Sequence, residues 1–271
     1  MNWIRTVVAG LFLRGAPLTL VLVLVLMARL AAAETVTIAA EDAFPPWSLP
    51  DGRGAGNEIV QEAFRRQGVT VELAVVPYAR CRRAVITGDV AACLSMGANE
   101  VTRRDVMLPT PSLAQIRAVL VTDGARSQAA LPGCDPAQWP QRPRIGIVNG
   151  YEYPAEWDRI AASGRAEVVT VQSDSAGLRM LGAGRLDGMV LLFDQLRTPD
   201  GLMHRAGQSF PLSQLCPLGG ITTYLGFSAS RPDSAALLRR FEDGYRALQA
   251  DGTLDAILSR WRDREDGPPG H

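Results

Sequence analysis

Apolar and polar positions follow two different periods along this chain. Short runs of apolar and β-branched residues predict strands, and apolar residues that recur every three or four positions predict amphipathic helices. Because strands and helices alternate, we expect parallel sheets with helices packed against them. The predicted strands are residues 35–40, 69–76, 90–94, 116–122, 144–148, 166–171, 187–193 and 221–228, and the predicted helices are 57–67, 78–87, 154–162, 175–181, 237–248 and 251–261.

The alternation occurs twice, and this predicts an α/β fold with two lobes. The second unit begins at residue 144, after a loop that contains Gly and Pro and runs to residue 141. A chain of this length can bury a substantial core without a metal or a disulfide. We expect His204 in a loop and the polar residues 263–271 in a frayed tail.

The first 33 residues have a different pattern. Two arginines precede an apolar run from Leu20 to Ala28, and alanines 31–33 stand before Glu34. This is the layout of a secretory signal peptide with a small-residue cleavage site. The apolar run is nine residues long, whereas a membrane span needs roughly 20 residues, so we favour cleavage before Glu34 over an uncleaved anchor. The mature chain is therefore expected outside the cytoplasm, with no membrane insertion.

Charge and composition exclude several classes of function. The 28 basic residues, all of them Arg, balance 28 acidic residues, and no long run of like charge occurs. Nucleic acid and membrane surfaces are therefore not expected partners. The two histidines and the cysteine spacings do not form a zinc pattern, so we expect no metal and no cofactor. In an oxidising compartment the four cysteines are expected to pair, and three pairings are open for Cys81, Cys93, Cys134 and Cys216.

Four tracts in order along the chain resemble the periplasmic solute-binding proteins of polar amino-acid ABC importers, solute-binding protein family 3. The tracts are residues 41–48 with 56–59, residues 82–90 with Ser95 and 100–111, residues 145–150 with 181–187, and residues 248–254 with Trp261. The resemblance implies a type II clamshell, in which each lobe is a mainly parallel sheet flanked by helices and two crossing strands join the lobes. Lobe one would comprise residues 34–115 and 225–271, and lobe two residues 120–220. A ligand would lie in the cleft and closure about a hinge would bury it.

Several residues of lobe one are candidates for ligand contact. Phe44 and Trp47 lie beside two prolines that stiffen their loop, and they offer either apolar walls for a ligand or plugs for the core. Tyr78 and Arg80 begin a helix that we expect near the cleft. Ser95 and Gly97 follow a strand, where backbone groups are free to face a ligand.

The resemblance also implies an arginine that grips the carboxylate of the ligand. The planar guanidinium suits this role because it donates two parallel hydrogen bonds. Arg103 is the first choice for this position and Arg104 the second. The alternative is that both are solvated arginines on a short helix.

In lobe two, Asn149, Gly150 and Tyr151 stand between a strand and a helix, where free N–H groups suit a carboxylate. Tyr151 either contacts the ligand or packs between helix and sheet. At the position where the family commonly has an acidic partner for an ammonium group, this chain has Leu192. The nearest carboxylate is Asp194, which either serves the ligand or caps a following helix; Glu41 or Asp42 is the substitute from the other lobe.

The lobe division favours one pairing of the cysteines. A bridge between lobes would resist hinge motion, and Cys81 is twelve residues before Cys93, close enough for a bridge between a helix and a strand. We therefore expect Cys81 to pair with Cys93 and Cys134 with Cys216.

These observations predict a monomeric, non-catalytic, periplasmic binding protein. Its ligand is expected to be a small polar solute, an amino acid or a related carboxylate, and its partner the membrane component of an ABC importer. One alternative is an enzyme on the same fold, similar to cyclohexadienyl dehydratase, because Glu41, Glu152 and Asp194 offer carboxyl groups although no Ser-His-Asp or Cys-His set is visible. Another is an accessory or sensory protein that does not serve transport.

Overall fold

The computed structural model describes residues 34–125 and 130–266. The predicted signal peptide, residues 1–33, lies outside the described residues, as do residues 267–271 of the predicted tail. The strands are β1 (Glu34–Glu41), β2 (Val69–Val76), β3 (Ala92–Gly97), β4 (Val106–Met107), β5 (Ala114–Asp123), β6 (Arg144–Val148), β7 (Glu167–Val171), β8 (Gly188–Phe193) and β9 (Leu212–Ser228). The helices are α1 (Ala55–Arg66), α2 (Tyr78–Thr87), α3 (Glu100–Asp105), α4 (Ala155–Ala162), α5 (Asp174–Gly182), α6 (Pro199–Ala206), α7 (Ser234–Ala250) and α8 (Thr253–Asp266).

Most predicted elements are present, and the differences lie in short or exposed segments. Helix α6 and strand β4 were not predicted, and helix α3 appears in the sequence analysis only as the alternative that places Arg103 and Arg104 on a short helix. His204 lies in the last turn of α6 instead of a loop. Strand β9 begins nine residues before the predicted strand 221–228, because its first half alternates between buried and exposed residues around a proline. Helix α8 continues to Asp266, so residues 263–266 of the predicted frayed tail are helical.

The strands form one continuous mixed sheet with the order β2-β1-β3-β9-β5-β8-β6-β7, and β4 pairs with β9. Pairs β1–β3, β6–β7 and β6–β8 are parallel, as the strand and helix alternation predicts. Strands β5 and β9 are antiparallel to each other and to their outer neighbours. These two long strands are the predicted crossing strands.

We call β1–β4 with α1–α3, α7 and α8 lobe one, and β6–β8 with α4–α6 lobe two. Strands β5 and β9 run through both lobes, paired from Ala114 with Thr223 to Asp123 with Leu212. They pass through the predicted boundaries at residues 115–120 and 220–225, which stay predictions. Because the strands are shared, side chains on their central parts lie where the two lobes meet.

Each lobe has its own apolar packing between helices and sheet. In lobe one, Phe64 of α1 contacts Phe227 of β9 and Phe241 of α7, with ring centroids 6.5 and 5.9 Å away. In lobe two, Leu178 of α5 and Met189 of β8 belong to a second apolar cluster. Among the helices in the described part of the chain, none combines the length and hydrophobicity that a membrane crossing needs.

Two disulfides tie helix or loop segments to the sheet. Cys81 of α2 is bonded to Cys93 of β3, and Cys134 is bonded to Cys216 of β9. This is the pairing expected from the sequence. Cys81 and Cys93 both belong to lobe one, whereas Cys134 lies in the loop after β5 and is bonded to the shared strand β9. Neither bridge therefore joins an element of lobe one to an element of lobe two.

Candidate functional site

The loop that follows β1 brings two aromatic side chains to the junction of the lobes. Its backbone turns back at once, because the amides of Trp47 and Ser48 both donate to the carbonyl of Phe44, over 2.9 and 3.0 Å. The side-chain amide of Asn57, in α1, donates to the hydroxyl of Ser48 over 3.0 Å and so holds the loop against α1. Phe44 and Trp47 are both buried as a result.

A small cavity of about 20 Å³ lies between the lobes. The predicted site residues Phe44, Tyr78, Ser95, Gly97 and Tyr151 line it. The other lining residues are Glu41, Ile116, Glu152, Leu192, Ile221 and Thr223.

Three aromatic rings form one wall of the cavity. The Tyr151 ring meets the Phe44 ring edge to face at a centroid distance of 5.7 Å, and it meets the Tyr78 ring in the same way at 5.3 Å. Tyr151 belongs to lobe two and the other two rings to lobe one. Because such edge contacts stabilise by about 0.5–1.5 kcal/mol beyond the burial of the rings, the wall itself favours the approach of the lobes.

The backbone of Ser95, which lines the cavity, has an unusual conformation. It has a φ of 62° and is the single residue other than glycine with positive φ in the described part of the chain. The pairing of β3 with β9 shifts its register between Cys93 and Met96, which leaves Ser95 out of the regular ladder. Such conformations are unfavourable and concentrate at functional sites.

Glu41 ends β1 and carries a buried carboxyl group, with 2% of the residue exposed. Burial raises its pKa to about 8, since a charged carboxylate loses its hydration in the cavity. The Tyr151 hydroxyl and the Arg197 guanidinium nearby oppose this rise without overcoming it. Glu41 is thus a protonated acid at neutral pH.

Glu152 places a second carboxyl group in the cavity from lobe two. Its side chain is 6% exposed, and the Tyr78 hydroxyl of lobe one donates to Oε2 over 2.6 Å. The Gly97 amide lies 3.4 Å from the same oxygen, and Arg82 Nε lies 3.3 Å from Oε1. Burial raises the pKa of Glu152, while the hydrogen bond from Tyr78 and the charge of Arg82 lower it.

A buried ion pair between Arg197 and Asp174 lies next to the cavity wall. The guanidinium of Arg197, which is fully buried, donates to the Asp174 carboxylate, to the Pro45 carbonyl over 2.6 Å and to the Leu192 carbonyl over 3.0 Å. Its central carbon lies 3.8 Å from the centre of the Phe44 ring. These bonds use three of its five N–H donors, and Arg197 does not line the cavity.

The remaining predicted site residues lie elsewhere. Trp47 donates to Asp194 instead of facing a ligand, and Gly150, at a φ of 82°, lies against Ala79. Arg103 and Arg104 are both exposed on the last turn of α3, so the alternative of two solvated arginines on a short helix describes them. None of the following lines the cavity: Trp47, Arg80, Arg103, Arg104, Asn149, Gly150 and Asp194.

The sequence analysis gave no cavity role to Ile116 and Ile221, and it did not identify the buried pair of Arg197 and Asp174 beside the cavity. Ile116 and Ile221 come from the crossing strands, so their recognition required knowing where those strands pass the junction. Glu152 was considered only for catalysis, although its position between β6 and α4 is a usual place for ligand contact. Within residues 34–125 and 130–266, no cluster of His, Cys, Asp or Glu suits a metal ion.

Comparison with known proteins gives one family and many similar folds. The model of the bacterial extracellular solute-binding proteins, family 3, matches residues 36–264. No curated protein matches the chain.

Several solved structures have the same fold at low sequence identity. A substrate-binding protein of an ABC uptake transporter from Streptococcus pneumoniae, with bound histidine, is 16% identical with a TM-score of 0.68, over 87% of this chain and 95% of its own. A putative L-cystine ABC transporter protein from Listeria monocytogenes is 13% identical with a TM-score of 0.69, over 84% and 95%. A histidine kinase sensor domain is 17% identical with a TM-score of 0.68, over 84% and 95%.

Proposed function

The chain belongs to family 3 of the bacterial extracellular solute-binding proteins, and from that premise we propose that it captures a small polar solute carrying an amino group. The supporting observation is the pair of buried carboxyl groups, Glu41 and Glu152, in the cavity between the lobes. Within the described residues no arginine lines this cavity, and the sequence has no lysine. A solute with an ammonium group would place a positive charge beside Glu152 and Glu41, and that charge would favour the ionised form of Glu41, which burial keeps protonated.

The surroundings of the two carboxyl groups suit a small solute that both lobes enclose. Glu41, Phe44 and Tyr78 come from lobe one, and Tyr151 and Glu152 from lobe two. A solute that contacts both groups stabilises the closed arrangement, because it binds that arrangement more tightly than an open one. Binding and closure are coupled in this proposal, and no covalent chemistry is needed.

The cellular role that we propose is delivery of the solute in the periplasm to the membrane component of an ABC importer. The predicted signal peptide and the two disulfides support an oxidising compartment. The protein acts as a monomer in this proposal, since each chain provides both walls of its cavity.

The proposal is tested by a thermal-shift screen of residues 34–271 after unfolding and refolding without ligand. The panel contains amino acids, simple amines, small carboxylates and sugars. A ligand at 100 times its dissociation constant stabilises the folded state by about 2.7 kcal/mol, which for a chain of this size raises Tm by about 5–10 °C. Amines or amino acids are expected to raise Tm, and Glu41→Gln is expected to reduce the shift whereas Glu72→Gln, an exposed glutamate of β2, leaves it unchanged. A response to carboxylates or sugars alone contradicts the proposal.

A second candidate is an enzyme on the same fold. The observation that favours it is the pKa of Glu41, about 8, which keeps the carboxyl protonated at neutral pH as a general acid requires. Incubation of each solute that shifts Tm with the protein, followed by NMR of the mixture, separates the two functions. Recovery of unchanged solute supports binding alone, and formation of product supports catalysis.

A further inference from the structure

Three groups of lobe one converge on the carboxyl group of Glu152, which belongs to lobe two. The hydroxyl of Tyr78 and the backbone amide of Gly97 both address Oε2, at 2.6 and 3.4 Å, and Arg82 Nε lies 3.3 Å from Oε1. A hydroxyl, a backbone amide and a guanidinium are the donors that proteins use to hold a carboxylate. Lobe one therefore has a set of donors suited to a carboxylate, and the carboxylate that they hold is the side chain of Glu152.

The backbone around Glu152 holds this side chain in position. Gly150 turns the chain at a φ of 82° directly after β6, and the hydroxyl of Tyr153 accepts a hydrogen bond from the Val148 amide over 2.9 Å. Tyr151, between them, packs on Phe44 and Tyr78. Contacts thus hold the chain in place on both sides of Glu152. In the closed form, its carboxyl group therefore has a fixed position among the donors of lobe one.

A solute with a carboxylate has poor options in this cavity. The donors around Tyr78 and Gly97 are occupied, and Arg197 is committed to Asp174 and two carbonyl groups. Any other position brings the carboxylate near Glu152, and burying like charges together without a cation between them is strongly unfavourable. An ammonium group, by contrast, finds acceptors on both sides, while Ile116 and Ile221 offer apolar surface to methylene groups.

We propose that Glu152 determines specificity by acting as a built-in carboxylate that excludes carboxylate-bearing solutes, so that the ligand is a small amine without a carboxylate. This inference rests on the proposed function, binding of an amino-group solute, and narrows its ligand class. Glu152 contacts the solute in this arrangement as well as filling the donors of lobe one.

The test uses pairs of compounds that differ by one carboxylate: putrescine with ornithine, and ethanolamine with serine. Binding of each to the ligand-free protein is measured by titration calorimetry at pH 7.5. For the wild-type protein, at least one of the two amines is expected to bind at least tenfold more tightly than its carboxylated partner. Glu152→Ala vacates the donors of lobe one and is expected to reverse the preference, with a gain of at least tenfold for ornithine or serine.

Two further variants make the result specific. Glu156→Ala removes an exposed glutamate of α4 that pairs with Arg159 and is expected to behave as the wild type. Glu152→Gln keeps the volume of the side chain but not its charge, so it is expected to weaken amine binding at least tenfold without admitting the amino acids. This variant carries the test if Glu152→Ala does not fold, as judged by circular dichroism.

The outcomes separate the inference from the proposed function. Wild-type binding of an amino acid as tightly as its decarboxylated partner overturns the inference and leaves the proposed function intact. Failure of Glu152→Ala to admit the amino acids, in a folded protein, also overturns it. Absence of binding by all four compounds, together with no response to amines or amino acids in the thermal-shift screen, overturns the proposed function and the inference with it.

Discussion

The indole nitrogen of Trp47 donates a hydrogen bond to Oδ2 of Asp194 over 2.8 Å. Trp47 belongs to the loop after β1 in lobe one, and Asp194 follows β8 in lobe two, so this bond joins the lobes next to the cavity. The other oxygen of Asp194 accepts from the amides of Leu196 and Arg197. The sequence predicts both residues as ligand contacts, whereas in the folded protein they form a hydrogen bond with each other.

This bond is expected to stabilise the closed form in the absence of ligand. In a double-mutant cycle with Trp47→Phe and Asp194→Ala, we expect a coupling free energy of about 1.5–3 kcal/mol, since a hydrogen bond to a charged group contributes about that much. Urea unfolding of the four proteins measures it. Trp139→Phe, whose indole donates to the Gly133 carbonyl instead, is the control and should combine additively with Asp194→Ala. A coupling near zero for Trp47 would show that the bond adds nothing in solution.

The ion pair of Arg197 and Asp174 is expected to be the most sensitive polar contact of the junction. Arg197→Met leaves the Asp174 carboxylate, 5% exposed, without its cation, and breaking a buried pair in this way destabilises by about 3–5 kcal/mol. Arg159→Met is the matched control, because the Arg159–Glu156 pair is 66% and 41% exposed and such pairs contribute at most about 1 kcal/mol. The free energy of unfolding in urea measures both. Equal effects would mean that the Asp174 carboxylate gains another partner when Arg197 is replaced.

The sequence predicts most of the fold because periodicity is a local property. The predicted bounds of β2, α2 and β6 match the structure, and each has a regular pattern of apolar residues between Gly or Pro. Helix α6, by contrast, has few apolar residues to reveal a period, and its start depends on the Thr198 side chain, which accepts from the Gly201 amide over 3.1 Å.

The site was harder to predict because its contacts join residues far apart in the chain. Glu152 meets Tyr78 across 74 positions, and Arg197 meets Pro45 across 152. Nothing near Arg197 in the sequence distinguishes it from the many exposed arginines, and only the packing of lobe two on the loop after β1 buries it. The absence of an acidic residue at Leu192 was a local sign that the cavity differs from the family pattern.

Glu41 is expected to make stability fall as the pH rises. Its pKa is about 8 in the folded protein against 4.5 in its ordinary state, so between these values the folded state holds a proton that the unfolded state has lost. The stabilisation from this group is complete below pH 4.5, declines from there as the pH rises, and is absent above about pH 8. At about 1.4 kcal/mol per pKa unit, the loss is of the order of a few kcal/mol.

Urea unfolding at pH values from 4.5 to 8.5 measures this decline. Glu41→Gln should flatten it, leaving the part contributed by Glu152, whose pKa is also raised. Glu72→Gln, on the exposed side of β2, should retain the wild-type slope. An identical slope for Glu41→Gln and the wild type would mean that Glu41 is hydrated in solution, and that the cavity is open there.

Gly150 allows the two lobes to approach, and an added methyl group is expected to hold them apart. Its φ is 82°, and a Cβ there would lie 3.0 Å from the Ala79 Cβ of α2, closer than ordinary contact. Gly164 is a matched control, because it has a φ of 68° and a Cβ there would meet nothing within 4 Å. Both Gly→Ala variants carry the strain of the left-handed conformation, about 1–2 kcal/mol. Only Gly150→Ala should add a clash between the lobes.

Small-angle scattering separates these two effects in the ligand-free protein. We expect Gly150→Ala to have a larger radius of gyration than the wild type and Gly164→Ala to have the same one, although both lower Tm. Because the clash opposes closure by about 1 kcal/mol, Gly150→Ala should also bind the solute found by screening about fivefold more weakly. Three equal radii of gyration would mean that the Gly150–Ala79 contact does not persist in the ligand-free protein in solution. The closed cavity would then need a ligand to form. The hydrogen bonds of Trp47 and Tyr78 across the junction would in that case follow ligand binding instead of preceding it.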